Sequence, residues 1–296
     1  MRVITDFNKI DRCALALGNF DGVHCAHKKI IEACRDYAKK EKISSGVLLF
    51  DIHPQIYLKN DTKLLTTLDE KLKLTEEIGV DFVFVKAFDE ETMKMSAEEF
   101  FSFLRDKLKT EALFAGYDYT FGYKASGNSE KLLNLCKKSK IYAKIFEKIE
   151  ISEETVSSTM IRRLILEGKT EEAKKYLGHM YLVCGKVEKG KQNGVKMGIP
   201  TANVSFSNEK QMPSDGVYKG FFEVDKKRYK SLINVGKNPT FNAEKRTLEV
   251  HIPDFCRDIY EMDAIVYFDR KIRDEIKFNS PEELVTQIKK DLKSLG

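Results

Sequence analysis

Apolar and polar positions fall into two textures along the chain. Over residues 1–178, short continuous apolar runs alternate with segments whose apolar positions recur every three or four residues. Cys13-Ala14-Leu15-Ala16-Leu17 predicts a buried strand, and residues 28–40, with periodicity through Ile30, Ile31, Ala33, Cys34, Tyr37 and Ala38, predict a helix. Residues 46–50 predict a second buried strand, 68–78 a helix and 81–85 a strand. Ser96-Ala97-Glu98-Glu99 is a capping box that opens a helix through about Leu108. Residues 113–115 and 141–146 predict strands, and 130–137 a helix between them. A helix over 170–177 ends at Gly178 as C-cap, which marks the expected domain boundary. Strands alternating with helices predict a parallel sheet covered on both faces.

From residue 179 to 296 the texture changes to short β-rich runs punctuated by glycine and proline, at 181–187, 216–224, 230–235, 248–252 and 263–268. That pattern predicts a closed antiparallel barrel. Ser280-Pro281-Glu282-Glu283 opens a final helix, with Ser280 as N-cap and Pro281 at the first helical position. The expected fold class is therefore α/β plus β, with domains at 1–178 and 179–296.

Composition narrows the partners. The chain has 296 residues, 42% of them hydrophobic, enough to fill the cores of two ordinary domains. Its 51 basic residues are interleaved with 46 acidic ones, for a net charge of +5. Without a basic block carrying interleaved aromatics, nucleic acid is not an expected partner, while a modest positive excess suits small polyphosphates. No apolar run is long enough to span a bilayer, and residues 1–6 do not read as a signal peptide. Six cysteines (13, 25, 34, 136, 184, 256) lack paired spacing and read as thiols in a reducing cytosol, so a cytoplasmic protein without a membrane partner is expected.

Four of the five histidines sit in three short turns marked by glycine or proline. The richest turn is Gly18-Asn19-Phe20-Asp21-Gly22-Val23-His24-Cys25-Ala26-His27, between the first strand and the first helix. A helix N-terminus following such a turn presents free N–H groups and the positive end of its dipole to an anion. His24 and His27, three residues apart there, can reach one phosphate. Two incidental surface histidines are the plain alternative, which the strand, turn and helix order disfavours. Zinc is a weaker reading, because no Cys-x-x-Cys or third ligand lies nearby. His53 and Asp118 also follow predicted strand ends, so all four side chains are expected around one crevice beyond the carboxyl edge of the sheet. Ser157, Ser158 and Thr159 can cap a helix while Arg162, one turn in, grips phosphate; alternatively this is an ordinary cap with a surface arginine. Glu249 alternates with inward Leu248 and Val250 and by pattern alone is an outward strand charge; His251 shares its face, either orienting it or lying idle on the surface.

These motifs, in this order, resemble the prokaryotic bifunctional riboflavin kinase/FAD synthetases over nearly the whole chain. The turn at 18–27 is similar to the signature Gly-x-Phe-Asp-Gly-x-His-x-Gly-His of their adenylyltransferase module, with Ala26 in place of a glycine. His53-Pro54, the loop Gly116-x-Asp118-Tyr119-x-Phe121-Gly122 with Lys124 and Gly127, and Ser157-Ser158-Thr159-Met160-Ile161-Arg162 resemble its later motifs. The second half resembles the riboflavin kinase module through Gly185, Gly190, Gly194, Gly198-Ile199-Pro200-Thr201-Ala202-Asn203, Asp215 to Tyr218, Asn234-Val235-Gly236, Pro239-Thr240-Phe241, Glu249-Val250-His251 and Arg273-Asp274-Glu275. The glycines are not a Walker A loop, since no Gly-Lys-Ser/Thr follows them.

The resemblance implies a Rossmann-like nucleotidyltransferase sheet followed by a six-stranded riboflavin kinase barrel. It implies two reactions: phosphorylation of riboflavin to FMN by ATP, and adenylylation of FMN to FAD with release of pyrophosphate. ATP and phosphate would be bound by Gly18, Phe20, Asp21, Gly22, His24, His27, Ser157, Ser158, Thr159 and Arg162 in the first module, and by Gly185, Gly190 and Gly198 in the second. Flavin would be bound by His53, Pro54, Asp118, Phe121 and Arg273. Glu249 would be the kinase base, with Thr201 and Asn203 holding Mg2+. A monomer or weak oligomer is expected. The departures at Ala26 and Met160 leave open a kinase whose adenylyltransferase is impaired; a non-catalytic flavin- or nucleotide-binding regulator is a further alternative.

Overall fold

The structure, a computed structural model, describes residues 1–6, 11–58, 61–189, 199–240, 243–278 and 280–295. It divides into two compact units, Met1–Ser157 and Ser158–Gly296.

The first unit is built on a six-stranded, all-parallel sheet. Its strands are β1 (Arg2–Ile4), β2 (Cys13–Leu17), β3 (Ser44–Phe50), β4 (Phe82–Lys86), β5 (Thr110–Gly116) and, after two short strands β6 (Thr120–Phe121) and β7 (Gly127–Asn128), β8 (Tyr142–Phe146). Their order in the sheet is β1-β4-β3-β2-β5-β8. All five residues of β2 are buried, as a central strand covered on both faces requires. From β2 the chain winds one way through β3 and β4, and β5 then starts the other half on the opposite side. That reversal places a crevice at the carboxyl ends of β2 and β5. A hairpin of β9 (Glu150–Ile151) and β10 (Glu154–Thr155) closes the unit.

Helices follow the strands: α1 (Cys25–Glu41), α2 (Pro54–Tyr57), α3 (Leu68–Ile78), α4 (Glu90–Lys94), α5 (Ala97–Ser102), which runs on into a π-helical turn at Phe103–Lys107, and α6 (Ser129–Ser139). Local chemistry fixes their ends. Thr67 with Glu70, and Ser96 with Glu99, form complete capping boxes, and Gly79 ends α3 in a left-handed conformation. The first helix begins three residues earlier than its apolar spacing predicts, because the His24 side chain caps it. Strand β5 likewise begins at Thr110 rather than 113, since Thr110 pairs with Cys13.

The second unit opens with α7 (Ser158–Leu166) and α8 (Thr170–Leu177), whose C-cap Gly178 is left-handed. A closed barrel follows, from β11 (Tyr181–Glu188), β12 (Ala202–Val204), β13 (Gly216–Val224), β14 (Lys227–Thr240), β15 (Ala243–His251) and β16 (Asp263–Arg273), in the order β11-β12-β15-β14-β13-β16. Every pairing is antiparallel. The five predicted runs become five of these strands, with β14 and β16 extending well beyond the apolar pattern. The sixth, β12, lies in the Pro-Thr-Ala-Asn segment, too short and mixed for periodicity to show. Gly185 lets the chain pack closely there, since a Cβ would overlap the Ser205 carbonyl. Helix α9 (Pro281–Leu292) ends the fold, capped by Ser280.

Gly46 in β3 lies beside Phe82 in β4, and a Cβ there would overlap the Phe82 ring. Gly46→Ala is expected to destabilise the first unit by about 1–3 kcal/mol, read from the urea midpoint of its unfolding transition.

Candidate active sites

In the first unit the loops after β2, β3 and β5, strands adjacent in the sheet, carry the predicted side chains. The turn after β2 is held by three bonds. Thr66 donates its N–H to Asp21 Oδ1 at 2.9 Å, its hydroxyl donates to the same oxygen at 3.3 Å, and Gly22 N–H donates to Thr66 Oγ1 at 2.7 Å. One hydroxyl therefore joins both arms of the turn. The backbone is left-handed at Phe20 (φ 47°), Gly22 (φ 88°) and Val23 (φ 42°). A β-branched residue rarely adopts that conformation. Here Phe20 and Val23 are buried in the core, and Val23 N–H bonds the Phe20 carbonyl at 3.1 Å. Of the predicted phosphate ligands, Phe20 and Asp21 thus shape the turn from inside. Thr66 carries no motif of its own; only its position ahead of the Thr67 capping box could have drawn attention to it.

The turn delivers His24 to the N-cap of α1. Its Nδ1 accepts the N–H of His27 at 3.4 Å, so the ring proton sits on Nε2. His53 does the same for α2, its Nδ1 accepting from Gln55 N–H at 3.2 Å, with Pro54 at the first helical position. In both rings Nδ1 is therefore spent on a helix N-terminus. The rings of His24 and His27 stack at 3.5 Å, and Phe20 meets His27 edge-on at 5.2 Å. His27 Nδ1 is buried and has no hydrogen-bond partner among the described residues. Burial, followed by His24 and Lys71, holds the His27 pKa well below the usual imidazole range, so this ring is neutral at pH 7. Helix α1 has no acidic residue in its first turn, which leaves its positive end uncompensated. Ala26 is an ordinary helical residue within that turn.

The loop after β5 exposes Asp118, whose Oδ1 sits over Gly116 where a Cβ would crowd it. Phe121 turns inward, 6% exposed, among Phe100, Tyr119 and the rest of the core. Ser157 precedes α7, Ser158 and Thr159 form its first turn, and half-buried Arg162 lies one turn in. No group of three or more His, Cys, Asp or Glu among the described residues is arranged to hold a metal ion.

In the barrel, Glu249 stands opposite Asn203 of β12 on one side and Asn234 of β14 on the other. Leu248 and Val250 point into the core, so Glu249 occupies the other face, half-buried. Three polar side chains thus form one cross-strand row, with neighbouring Cβ atoms about 5 Å apart by strand geometry. Asn234 belongs to the Asn234-Val235-Gly236 motif, which by itself gave it no role beside Glu249. His251 Nδ1 lies 2.8 Å from the Pro200 carbonyl and donates to it. That bond ties the Pro-Thr-Ala-Asn segment to β15, a third outcome beside orienting Glu249 or lying idle. Thr201 is half-buried just ahead of β12. Gly190 and Gly198 lie outside the described residues. Arg273 is committed to the fold: Nε and Nη2 donate to Asp291 Oδ2 of α9 at 3.0 and 2.8 Å, and Nη1 to the Asp274 carbonyl at 3.0 Å.

Comparison with known proteins finds two modules in succession along the chain. Residues 7–160 match the family model for FAD synthetase and residues 177–295 that for riboflavin kinase. The chain is 35% identical over 293 residues to a bifunctional riboflavin kinase/FMN adenylyltransferase of Listeria monocytogenes, covering 97% of this chain and 91% of the relative. It is 32% identical over 286 residues to the protein of the same name from Bacillus subtilis, covering 95% and 90%. A solved structure described as a macrolide-efflux protein of Streptococcus pneumoniae is similar at a TM-score of 0.86 and 32% identity, covering 98% of this chain and 97% of that one. No described helix of this chain is long and apolar enough to cross a membrane.

The His27 geometry carries a pH signature. Its pKa is lower folded than unfolded, so its contribution to stability is complete above the unfolded value and is lost as pH falls below about 6.5. The melting temperature of the first unit is expected to fall between pH 7 and pH 5, and less steeply in His27→Gln. Parallel slopes in melts of the two proteins would contradict a buried neutral ring.

Proposed function

This chain belongs to the family of bifunctional riboflavin kinase/FMN adenylyltransferases, and from that premise we propose how its residues divide the work. The protein phosphorylates riboflavin to FMN and adenylylates FMN to FAD, with ATP as co-substrate of both reactions. Residues 1–178 are assigned the adenylyl transfer and 179–296 the kinase. The observation that carries the division is the match of two separate family models to successive parts of the chain.

In adenylyl transfer the nucleophile, the FMN phosphate, is already anionic and needs no base. The task is to align two anions and to stabilise charge on the leaving pyrophosphate. The positive end of α1, with no acidic residue in its first turn and with His24 and His27 beside it, suits that task. Gly18 and Gly22 allow close approach of the chain, and Phe20 and Asp21 hold its shape. Ser157, Ser158, Thr159 and Arg162 are assigned as further phosphate ligands for the same reaction. His53, Pro54 and Asp118 are assigned to the flavin, while Phe121 holds the Asp118 loop from the core.

In the kinase the nucleophile is the neutral ribityl 5′-hydroxyl, which must lose a proton. Glu249 is assigned as the base that accepts it. Gly185, Gly190 and Gly198 are assigned to the ATP phosphates. The Thr201 hydroxyl and Asn203 amide oxygen are the kind of hard donors that Mg2+ takes in small number alongside substrate phosphates, and they would hold it here. Bound there, Mg2+ supplies neutralisation of phosphate charge. Arg273, through Asp291, fixes α9 at the end of β16 and is assigned a positioning role toward the flavin. We further propose a cytoplasmic monomer or weak oligomer that binds neither nucleic acid nor membrane.

Incubation with riboflavin, ATP and Mg2+, followed by chromatography of the flavins, is expected to yield FMN and then FAD. Glu249→Ala is expected to lower FMN formation about 10²–10⁴-fold while FAD synthesis from supplied FMN continues. His27→Ala is expected to impair FAD synthesis alone. Normal FMN formation by Glu249→Ala would remove Glu249 as the base, and FMN without FAD from the wild type would reduce the protein to a kinase.

A further inference from the structure

Lys71 lies in the first unit, one turn into α3, and belongs to none of the motifs discussed above. It is 6% exposed. Lysine is almost never buried to that degree unless an anion meets it. Among the described residues no hydrogen bond or ion pair engages its ammonium group. Its charge is felt by Asp21 and Glu70 on one side and by His27 on the other. The Oδ1 of Asp21 is taken by Thr66, and Glu70 Oε2 by the Thr67 N–H at 2.8 Å. Burial draws the Lys71 pKa down, and the two carboxylates oppose that fall.

The placement follows from the turn. Thr66, which clamps Asp21 and Gly22, is followed at once by the cap of α3, so the first turn of α3 lies against the start of α1. Three features meet there: the positive end of a 17-residue helix with no acidic residue in its first turn, a buried His27 Nδ1 without a hydrogen-bond partner among the described residues, and Lys71, a largely buried lysine whose charge is felt by His27. All three favour an anion, and only Lys71 brings a full charge.

We propose that Lys71 is a ligand for the β- and γ-phosphates of ATP in adenylyl transfer, placed to neutralise the departing pyrophosphate; this rests on the adenylyltransferase reading of the turn. In the step, an FMN phosphate oxygen forms a bond to the α-phosphorus of ATP. The bond from that phosphorus to the bridging oxygen breaks, and its electron pair leaves on pyrophosphate. The ammonium of Lys71 donates a hydrogen bond to the oxygen that gains this charge and keeps its proton. A charge-assisted contact of this kind strengthens as the leaving group develops charge.

The full-length protein supplies its own control, because FMN formation uses the other module. In Lys71→Met the KM for ATP in FAD synthesis from FMN is expected to rise by about tenfold or more, with FMN formation from riboflavin unchanged. Inorganic pyrophosphate is expected to inhibit FAD synthesis in the wild type and much less in the variant. If the single variant does not fold, Lys71→Gln, which removes the charge and keeps a polar side chain, is the variant to assay, and the same rise in KM is expected. A KM for ATP within about twofold of wild type in either folded variant, with undiminished inhibition by pyrophosphate, would overturn the proposal and leave Lys71 as a counter-charge to Asp21. A wild-type protein that forms no FAD from FMN would overturn the adenylyltransferase reading itself, and this proposal with it.

Discussion

The bond set joining Asp21, Gly22 and Thr66 is the constraint on which the first site rests. It holds a turn whose backbone is left-handed at Phe20, Gly22 and Val23, a conformation the local sequence would not adopt unaided. The turn sets the direction in which α1 leaves the sheet and makes His24 its cap. The same bonds draw the start of α3 against it, and with α3 comes Lys71. A buried carboxylate with two bonds to one threonine thus sets the shape of the whole turn.

The two halves solve different chemical problems with different materials. Adenylyl transfer starts from two anions, and in the proposed reading the first unit meets them with the N-terminus of α1, two histidines and Lys71 at the carboxyl edge of a parallel sheet. Phosphorylation starts from a neutral hydroxyl, and the base proposed for it in the second unit is a carboxylate, Glu249, flanked by Asn203 and Asn234 across three antiparallel strands. The side-chain period of two turns Leu248 and Val250 inward and leaves Glu249 on the other face. His251, bonded to the Pro200 carbonyl, fastens the short strand β12 to this row.

Much of this was legible in the chain. Continuous apolar runs identified the parallel strands, and the capping box at Ser96 marks a helix start that the structure reproduces. The glycine turn, His53-Pro54 and the loop after β5 were placed at strand ends, and they lie at the ends of β2, β3 and β5. Other features were not legible. Helix α1 starts early because a histidine caps it, a role histidine seldom takes. Strand β12 is three residues of mixed character and gains its ladder only from β11 and β15. The packing of the Phe121 ring in the core and the bonds from Arg273 to Asp291 were likewise invisible in the motifs.

Short-range physics explains that division. Periodicity, caps and turn residues act over a few positions, so the sequence by itself determined the element types, their order, the two-part architecture and the family. Partnership between residues distant in the chain depends on how the sheet winds and the barrel closes. Thr66 lies 45 positions from Asp21, and Glu249 lies 46 from Asn203. Only the tertiary structure decided that Thr66 completes the turn, that two asparagines flank Glu249, and that Lys71 is buried rather than solvated, because burial of a charge is a property of everything packed around it.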